Sequence, residues 1–364
     1  MVNAMAPPQI LLLPDFESRQ KWPRMLNPHW ADMKEETLEW CRKFGAFTPA
    51  GQKAFDKCNF SLLCGLTFPF MTKEQLRCSC DLMNLFFIFD EHSDRTDPAE
   101  VWEQGRVIMD ALRNPEKPRP KGEWVGGEIT KQFWLPTTKI STKTFQRRFI
   151  ATFDSYVESV AHEAENRAKE SILGFEEYMV LRRETAGVTP CFAMVEMDMD
   201  IPDEVREHPI IQELEVLAVD LIMVLNDVTS YNREQACGTG DHNMITVIMN
   251  EQHATLQEAI DWCGRLHVTL TKRYDQLVTQ IPHWGEPMDS QIRRLVDGFS
   301  QWETGLVHWG FESERYYGKN GSEVRRTCKV QLLPKVDVDG KEDPNAGPTA
   351  MVDEVCRLAP CVRV

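Results

Sequence analysis

Apolar residues recur at helical spacing along most of the chain, from near Asp32 to about Tyr317. Residues at i, i+3, i+4 and i+7 share one face of a helix, so this period predicts buried or amphipathic α-helices. No long stretch shows the strict alternation that is typical of a β-strand. The pattern predicts an all-α fold, with strong helices over Thr72–His92, Pro98–Leu112, Ser141–Lys169, Gly174–Thr185, His208–Glu234, Thr255–Thr279 and Asp289–Tyr316.

The predicted helices form one domain. Two polar or Gly/Pro-rich loops interrupt them, at Asn114–Gly127 and Gln235–His242, but neither separates two self-contained hydrophobic sets. We therefore predict a single helical bundle over residues 31–330, around a central cavity. Residues 1–30 are rich in Pro and aromatic residues and are expected to form an ordered N-terminal strap. Residues 331–364 lose the periodicity and are expected to form a disordered C-terminal tail.

Charge and composition exclude several classes of protein. The chain of 364 residues has a formal net charge of −15, which argues against binding a nucleic-acid backbone. That charge is compatible with a small anionic ligand held through metal ions, since a divalent cation reverses the local charge balance. The 11 Cys are scattered without zinc-type spacing, and no stretch reaches the ~18–20 apolar residues of a membrane helix. We expect a cytoplasmic chain with reduced thiols and no stable membrane insertion.

A predicted helix ends in carboxylates. Leu82, Phe86 and Asp90 are four residues apart and share one face, and Asp94 extends that face by about 6 Å. The face that should enter the core therefore ends in two acidic groups, which are costly to bury without a cation. One interpretation is a helix end that reaches solvent. The other is a site for Mg²⁺, a hard cation that binds carboxylate and phosphate oxygens.

A second helix repeats the arrangement. Ala218, Ile222, Asn226, Ser230 and Glu234 step by four along one face, so an apolar stripe again changes into oxygen-bearing side chains. An amide, a hydroxyl and a carboxylate on successive turns are suited to one Mg²⁺ while adding a single negative charge. The alternative interpretation is a polar helix end with Asn and Ser as late capping residues.

Together these segments resemble the class I terpene synthases, in particular the sesquiterpene cyclases of fungi. The string from Asp90 to Asp94 (DEHSD) is similar to a variant of their aspartate-rich motif, and 226–234 (NDVTSYNRE) matches their Asn–Ser–Glu triad. Arg315 and Tyr316 match the family's Arg-Tyr pair. The segment 182–187 (RRETAG) resembles the family's helix break, which carries an arginine that senses diphosphate.

The resemblance implies roles for these residues. Metal ligands would be Asp90, Asp94, Asn226, Ser230 and Glu234, with Glu91 as the alternative to Asp94. Diphosphate would be bound by four further residues: Arg183, Arg233, Arg315 and Tyr316. Arg183 is assigned as the sensor, with Arg182 as the alternative, and Gly187 would allow the helix to break. The family uses three Mg²⁺ ions and closes over its substrate.

The function that the resemblance implies is Mg²⁺-dependent cyclisation of a prenyl diphosphate, most plausibly farnesyl diphosphate, with release of diphosphate. The variant acidic motif favours the fungal group that closes a humulyl cation, as in protoilludene formation. Aromatic faces stabilise carbocations, and Phe86 and Trp309 are the first candidates, followed by Phe87, Phe89 and Trp302, although each is also compatible with simple core packing. The alternatives are a trans-prenyltransferase and a non-catalytic helical protein. The chain is expected to be a monomer or a homodimer.

Overall fold

The computed structural model describes residues 9–94, 96–168 and 172–335, and almost all regular structure in them is helical. The all-α prediction is confirmed. The helices are α1 (Trp30–Arg42), α2 (Pro49–Cys58), α3 (Phe60–Thr67), α4 (Lys73–Ser93), α5 (Pro98–Arg113), α6 (Gly126–Ile140), α7 (Lys143–Ala168), α8 (Phe175–Thr185), α9 (Val188–Val195), α10 (Asp203–Arg206), α11 (Pro209–Cys237), α12 (Met244–Gln252), α13 (Leu256–Val278), α14 (Met288–Glu312) and α15 (Gly321–Thr327).

Local sequence signals explain where α4 begins and where α11 begins and ends; these are the helices that carry the predicted metal ligands. Thr72 and Gln75 form a reciprocal capping box at the start of α4. Pro209 occupies the first turn of α11, where its missing N–H costs nothing, and Gly238 closes that helix in the left-handed region with φ 79°. Helix α14 stops four residues before its predicted end, because the chain becomes extended at Ser313.

Helix α11 lies at the centre of the bundle. It packs against α13 and α14, while α14 also packs on α3, and α4 packs against α1, α3 and α6. Side chains all round α11 are buried, which is the pattern of a helix enclosed by others rather than one that lies on a surface. The second predicted ligand row is therefore held on a helix that others enclose. None of the described helices is both long and apolar enough to cross a membrane.

The N-terminal strap is tied to the other end of the chain. Strand β1 (Ile10–Leu12) pairs antiparallel with β2 (Lys329–Gln331), and Leu11 lies opposite Val330. Residues 10–12 of the predicted strap are thus fixed by pairing with the chain beyond α15. Gln331, the first residue of the predicted tail 331–364, belongs to β2, and the tail from residue 336 onward lies outside the described residues.

Candidate active site

The two predicted ligand rows meet at one cavity of about 170 Å³. Along each of three elements, the lining side chains change from apolar to polar in the same chain direction. On α4 they run from Met83 to Asp94, on α11 from Ile222 to Glu234, and from Trp302 on α14 to Tyr316 beyond it. The cavity therefore has a polar end and an apolar, partly aromatic interior.

The acidic row faces the polar end. Asp90 is 49% exposed, and its exposed surface lines the cavity, with an Arg315 nitrogen 4.0 Å from its Oδ2. Asp94 caps the end of α4, and its Oδ1 lies 3.3 Å from Nη1 of Arg167. Desolvation and the neighbouring Asp94 and Glu91 carboxylates raise the pKa of Asp90 to about 7. Desolvation raises the pKa of Asp94 to about 6, and Arg167 opposes this effect. Added positive charge would therefore favour the ionised form of both carboxylates.

Glu91 is directed elsewhere. It is buried, accepts a hydrogen bond of 2.7 Å from Nη2 of Arg233, and lies 3.7 Å from Nη1 of Arg315. It is not among the side chains that line the cavity, whereas Asp94 is. The geometry thus favours Asp94 over Glu91 as a partner of Asp90, and gives Glu91 the role of holding two arginines in place.

The row on α11 presents all three of its predicted side chains to the cavity. The Asn226 Oδ1 atom accepts from Nη2 of Arg182 at 2.8 Å, and its Nδ2 donates to the Tyr316 hydroxyl at 3.1 Å. Burial raises the pKa of Glu234, which accepts a hydrogen bond of 2.9 Å from Asn243. Ser230 Oγ is buried and makes no well-formed hydrogen bond within the described chain, although it lies near enough to Glu234 to lower the pKa of that group slightly.

This donor set suits a hard cation. Within the described residues, no three His, Cys, Asp or Glu side chains are close enough together to hold a metal ion. A bound ion would therefore need the Asn226 and Ser230 oxygens in addition to carboxylates, together with water and substrate oxygens. Mg²⁺ binds in this way, through few protein carboxylates and several waters or phosphate oxygens. Ser230 Oγ, which makes no well-formed hydrogen bond among the described residues, fits this requirement.

The geometry favours Arg182 over Arg183 for the predicted sensor role. Arg183 donates to both oxygens of the buried Asp220, at 2.7 and 2.9 Å, and does not line the cavity. Arg182, the alternative, does line it and bonds to Asn226. Adjacent residues point about 100° apart on a helix, and here Arg182 points to the cavity while Arg183 points to Asp220.

A buried carboxylate behind the site was missed from the sequence. Asp227 is 1% exposed and accepts hydrogen bonds from the Tyr178 hydroxyl, from Arg182 and, at 3.1 Å, from the backbone N–H of Met244. It therefore fixes Arg182 against α11 and ties the start of α12 to the same point. The signal in the sequence was a carboxylate directly after Asn226, at the end of a mostly apolar stretch of the helix, where a buried acid is expected to need a partner.

The remaining predicted anion-binding groups converge on the same end. Arg233, Arg315 and Tyr316 all line the cavity and are buried or nearly so. The Arg315 guanidinium carbon lies 4.5 Å from the centre of the Phe87 ring. The Nε–H groups of Arg233 and Arg315 have no hydrogen-bond partner in the described part of the chain. Two buried cationic groups with unused donors are suited to an oxygen-rich anion.

The helix break is present where predicted. Helix α8 ends at Thr185, Gly187 adopts φ 66°, and α9 begins at the next residue. A Cβ on Gly187 would lie 3.2 Å from the Phe86 ring, in a backbone conformation that other residues rarely adopt. Glycine therefore allows the chain to turn close against the cavity wall.

Aromatic side chains build the apolar interior. Phe86 lines the cavity and packs on Phe153 and Tyr156, with ring centres 5.2 and 5.0 Å away. Trp309 also lines it, and its indole N–H donates to the carbonyl of Cys58 at 2.8 Å. Phe87 and Trp302 are in the lining as well. Phe89 is fully buried outside it, so core packing accounts for that candidate.

Comparisons with known proteins assign this arrangement to a class. Residues 81–273 match the family model described as terpene synthase family 2, C-terminal metal binding. The chain also has the fold of solved terpene synthases. The crystal structure of α-eudesmol synthase covers 81% of this chain and 98% of its own, with TM-score 0.73 and 20% identity. Germacradien-4-ol synthase from Streptomyces citricolor has TM-score 0.70 and 22% identity over the same 81%, and 98% of its own chain.

Curated relatives are much closer in sequence. A Delta(6)-protoilludene synthase of Stereum hirsutum is 44% identical over 333 residues, which cover 91% of this chain and 90% of the relative. A Delta(6)-protoilludene synthase of Armillaria gallica is also 44% identical, over 90% of this chain and 95% of the relative. The chain belongs to the terpene synthase family, as an enzyme of the sesquiterpene synthase type. Residues 81–273, which match that family model, include both predicted ligand rows.

Proposed function

We propose that the chain is a Mg²⁺-dependent sesquiterpene synthase that ionises farnesyl diphosphate, cyclises the resulting cation through a humulyl intermediate, and releases diphosphate and a hydrocarbon such as Δ6-protoilludene. One observation carries this proposal. Two rows of oxygen-bearing side chains and four arginines converge on the polar end of a cavity whose opposite end is apolar and aromatic. Such a cavity suits a ligand with a diphosphate head and a hydrocarbon chain.

The polar end would hold the head group. Asp90 and Asp94 on α4, with Asn226, Ser230 and Glu234 on α11, would hold Mg²⁺, and the family resemblance suggests three ions. Bound Mg²⁺ supplies positive charge that offsets the negative charge developing on the leaving diphosphate. Arg182, Arg233 and Arg315 would donate charge-assisted hydrogen bonds to the same oxygens, through groups that include the two unused Nε–H donors. Tyr316 would contribute its hydroxyl.

The interior would control the cation. When the allylic carbon–oxygen bond breaks, diphosphate leaves with the electron pair and the carbon chain carries the positive charge. Phe86, Phe87 and Trp309 present aromatic side chains to the cavity, and each aromatic face stabilises a nearby cation by about 0.5–2 kcal/mol. The same side chains exclude water, which would trap the cation as an alcohol. Ring closure uses the double bonds of the substrate, and loss of a proton completes the hydrocarbon.

The substrate and product are proposed from the relatives. Several similar curated proteins are named Delta(6)-protoilludene synthase, at 39–44% identity over about nine-tenths of this chain. The acidic string from Asp90 to Asp94 also favours a humulyl-derived product, through its resemblance to the motif of that fungal group. A trans-prenyltransferase is disfavoured, because the second ligand row has Asn, Ser and Glu in place of a second aspartate-rich motif.

The test is incubation of the purified protein with farnesyl diphosphate and Mg²⁺, followed by mass spectrometry of volatile products and of prenyl diphosphates. A cyclic hydrocarbon that matches a protoilludene standard is the expected result. A different cyclic sesquiterpene would correct the product but keep the reaction class. Appearance of a longer prenyl diphosphate, when isopentenyl diphosphate is added, would indicate a prenyltransferase. No turnover of any prenyl diphosphate would contradict the proposal.

A further inference from the structure

A second cavity lies beyond the apolar end of the active-site cavity. The two are similar in size, about 160 and 170 Å³. Helices α3, α4, α9 and α14 contribute side chains to both. On α4 and α14 the second cavity uses residues nearer the helix N-terminus, whereas the ligand rows and Arg315 lie towards the C-terminus. The second cavity is therefore on the side away from the diphosphate groups.

The lining residues of the two cavities can be compared along the helices that they share. On α3 the lining passes from Leu63 to Thr67, and on α9 it passes from Cys191 to Val195. Four residues of helix advance by about 6 Å. On α14 the two linings adjoin at Gln301 and Trp302, so the partition between the cavities lies at this point, whereas on α4 the linings are two turns apart, at Gln75 and Met83.

Two aromatic rings form that partition. Trp302 lines the active-site cavity, and Phe68 lines the second one. Both are 4% exposed, and their rings meet edge to face with centres 5.6 Å apart. The indole N–H of Trp302 has no hydrogen-bond partner among the described residues. The tryptophan therefore contributes ring surface at this position rather than a polar anchor.

We propose that Trp302, supported by Phe68, sets the length of the prenyl chain that the enzyme accepts. This inference rests on the function proposed above. With the diphosphate held at Arg315 and the ligand rows, the hydrocarbon chain extends towards Trp302, which closes the far end of the cavity. A fifteen-carbon chain ends before the partition. A twenty-carbon chain would need to enter the second cavity, which Phe68 and Trp302 separate from the active-site cavity.

The second cavity is suited to receive that extra length. Phe68, Met194 and Val195 give it an apolar inner wall. Three charged residues also line it: Asp198 and Arg294 form a solvent-exposed ion pair at 3.0 Å, and Asp297 is itself exposed. Removal of the partition would therefore lengthen the apolar cavity without bringing a buried, unpaired charge to its inner end.

The experiment compares turnover of fifteen- and twenty-carbon prenyl diphosphates by the wild type, Trp302→Ala and Trp302→Leu. For both truncated variants we expect the twenty- to fifteen-carbon ratio of kcat/KM to rise at least about tenfold, the size of effect that a change of pocket contour gives. Trp302→Phe is the control, because it retains an aromatic ring and loses the N–H and a smaller part of the side-chain volume than the truncations do. Its ratio should rise much less than that of either truncated variant. Phe68→Ala added to Trp302→Leu should raise the ratio further.

Circular dichroism and thermal melting establish which variants are folded. If Trp302→Ala does not fold, Trp302→Leu, which fills more of the same volume, decides the question. A folded Trp302→Leu protein whose ratio equals that of the wild type would overturn the partition. An equal rise in Trp302→Phe would also overturn it, because the effect would then not depend on loss of the ring. A wild type that releases no diphosphate from farnesyl diphosphate would instead contradict the proposed function.

Discussion

Arg182 donates a hydrogen bond of 2.8 Å to the side-chain oxygen of Asn226, the atom that a metal ion would use. The same guanidinium is held by Asp227 at 3.0 Å. Arg182 therefore connects α8, which leads into the helix break, to the ligand row of α11. Occupation of Asn226 by a cation would release one donor of Arg182 for the diphosphate and alter the contact between the two helices.

The two adjacent arginines give a direct comparison. Arg182→Met should lower kcat by about 10²–10³, the usual effect of removing one donor to a developing anion. It should also lower the melting temperature, because the buried Asp227 loses its cationic partner. Arg183→Met should retain turnover per folded molecule but lower the melting temperature, because it leaves the buried Asp220 carboxylate without its partner. Steady-state kinetics and thermal melting of both variants test the assignment. The reverse pattern would restore Arg183 as the sensor.

Ser230→Ala separates function from stability. Ser230 Oγ makes no well-formed hydrogen bond to the described residues, so its loss should change the free energy of unfolding by less than about 1 kcal/mol. Turnover should nevertheless fall at least about 100-fold, because a metal ligand is lost. Thr229→Ala is the control, since that neighbouring hydroxyl bonds to the carbonyl of Leu225 and does not line the cavity. Full activity in Ser230→Ala would remove this residue from the ligand set.

The acidic string should show three different effects. Asp90→Asn is expected to lower turnover most, at least about 100-fold, since no other α4 carboxylate faces the cavity as openly. Asp94→Asn should be milder, because Asp94 already pairs with Arg167. Glu91→Gln should raise KM through misplaced Arg233 and Arg315 while leaving the Mg²⁺ concentration for half-maximal rate unchanged. Mg²⁺ titrations of the three variants check this order, and a shifted Mg²⁺ requirement in Glu91→Gln would make it a ligand.

A buried ion cluster away from the cavity should contribute to stability but not to turnover. Arg206 donates to Glu196 at 2.6 Å and to Glu215 at 2.7 Å, and all three are buried. Arg206→Met would leave two buried carboxylates without this partner and should lower the free energy of unfolding by about 3–5 kcal/mol in denaturant titrations. Arg293→Met, which removes an exposed pair with Glu286, should have no measurable effect. Equal effects would show that burial does not distinguish the two pairs.

The placement of most predicted ligands on shared helix faces followed from the sequence, because it depends on helical periodicity. Asn226, Ser230 and Glu234 share a face in any helix, so their convergence needed only that α11 be continuous. Asp90 followed in the same way from the apolar face of α4. That the rows on α4 and α11 face each other across one cavity depends on packing between distant helices. From the sequence, this arrangement could be expected only from the family resemblance and not from residue spacing.

Other features could not be read from local pattern. The choice between Arg182 and Arg183 depends on the rotation of α8 about its axis, which is fixed by contacts of Tyr178 and Arg182 with Asp227 on α11. Helix α14 was predicted to continue to Tyr316, but the chain extends at Ser313. Strands β1 and β2 have three residues each, too few to show alternation.

The central claim is that turnover is ionisation of a prenyl diphosphate by groups that act together with Mg²⁺. The most direct measurement is the rate of diphosphate release from farnesyl diphosphate, with hydrocarbon quantified in the same samples, first in excess EDTA and then after Mg²⁺ is restored. We predict no release in EDTA, and equal amounts of diphosphate and hydrocarbon once Mg²⁺ is present. Release of diphosphate at the full rate in metal-free buffer would contradict the account.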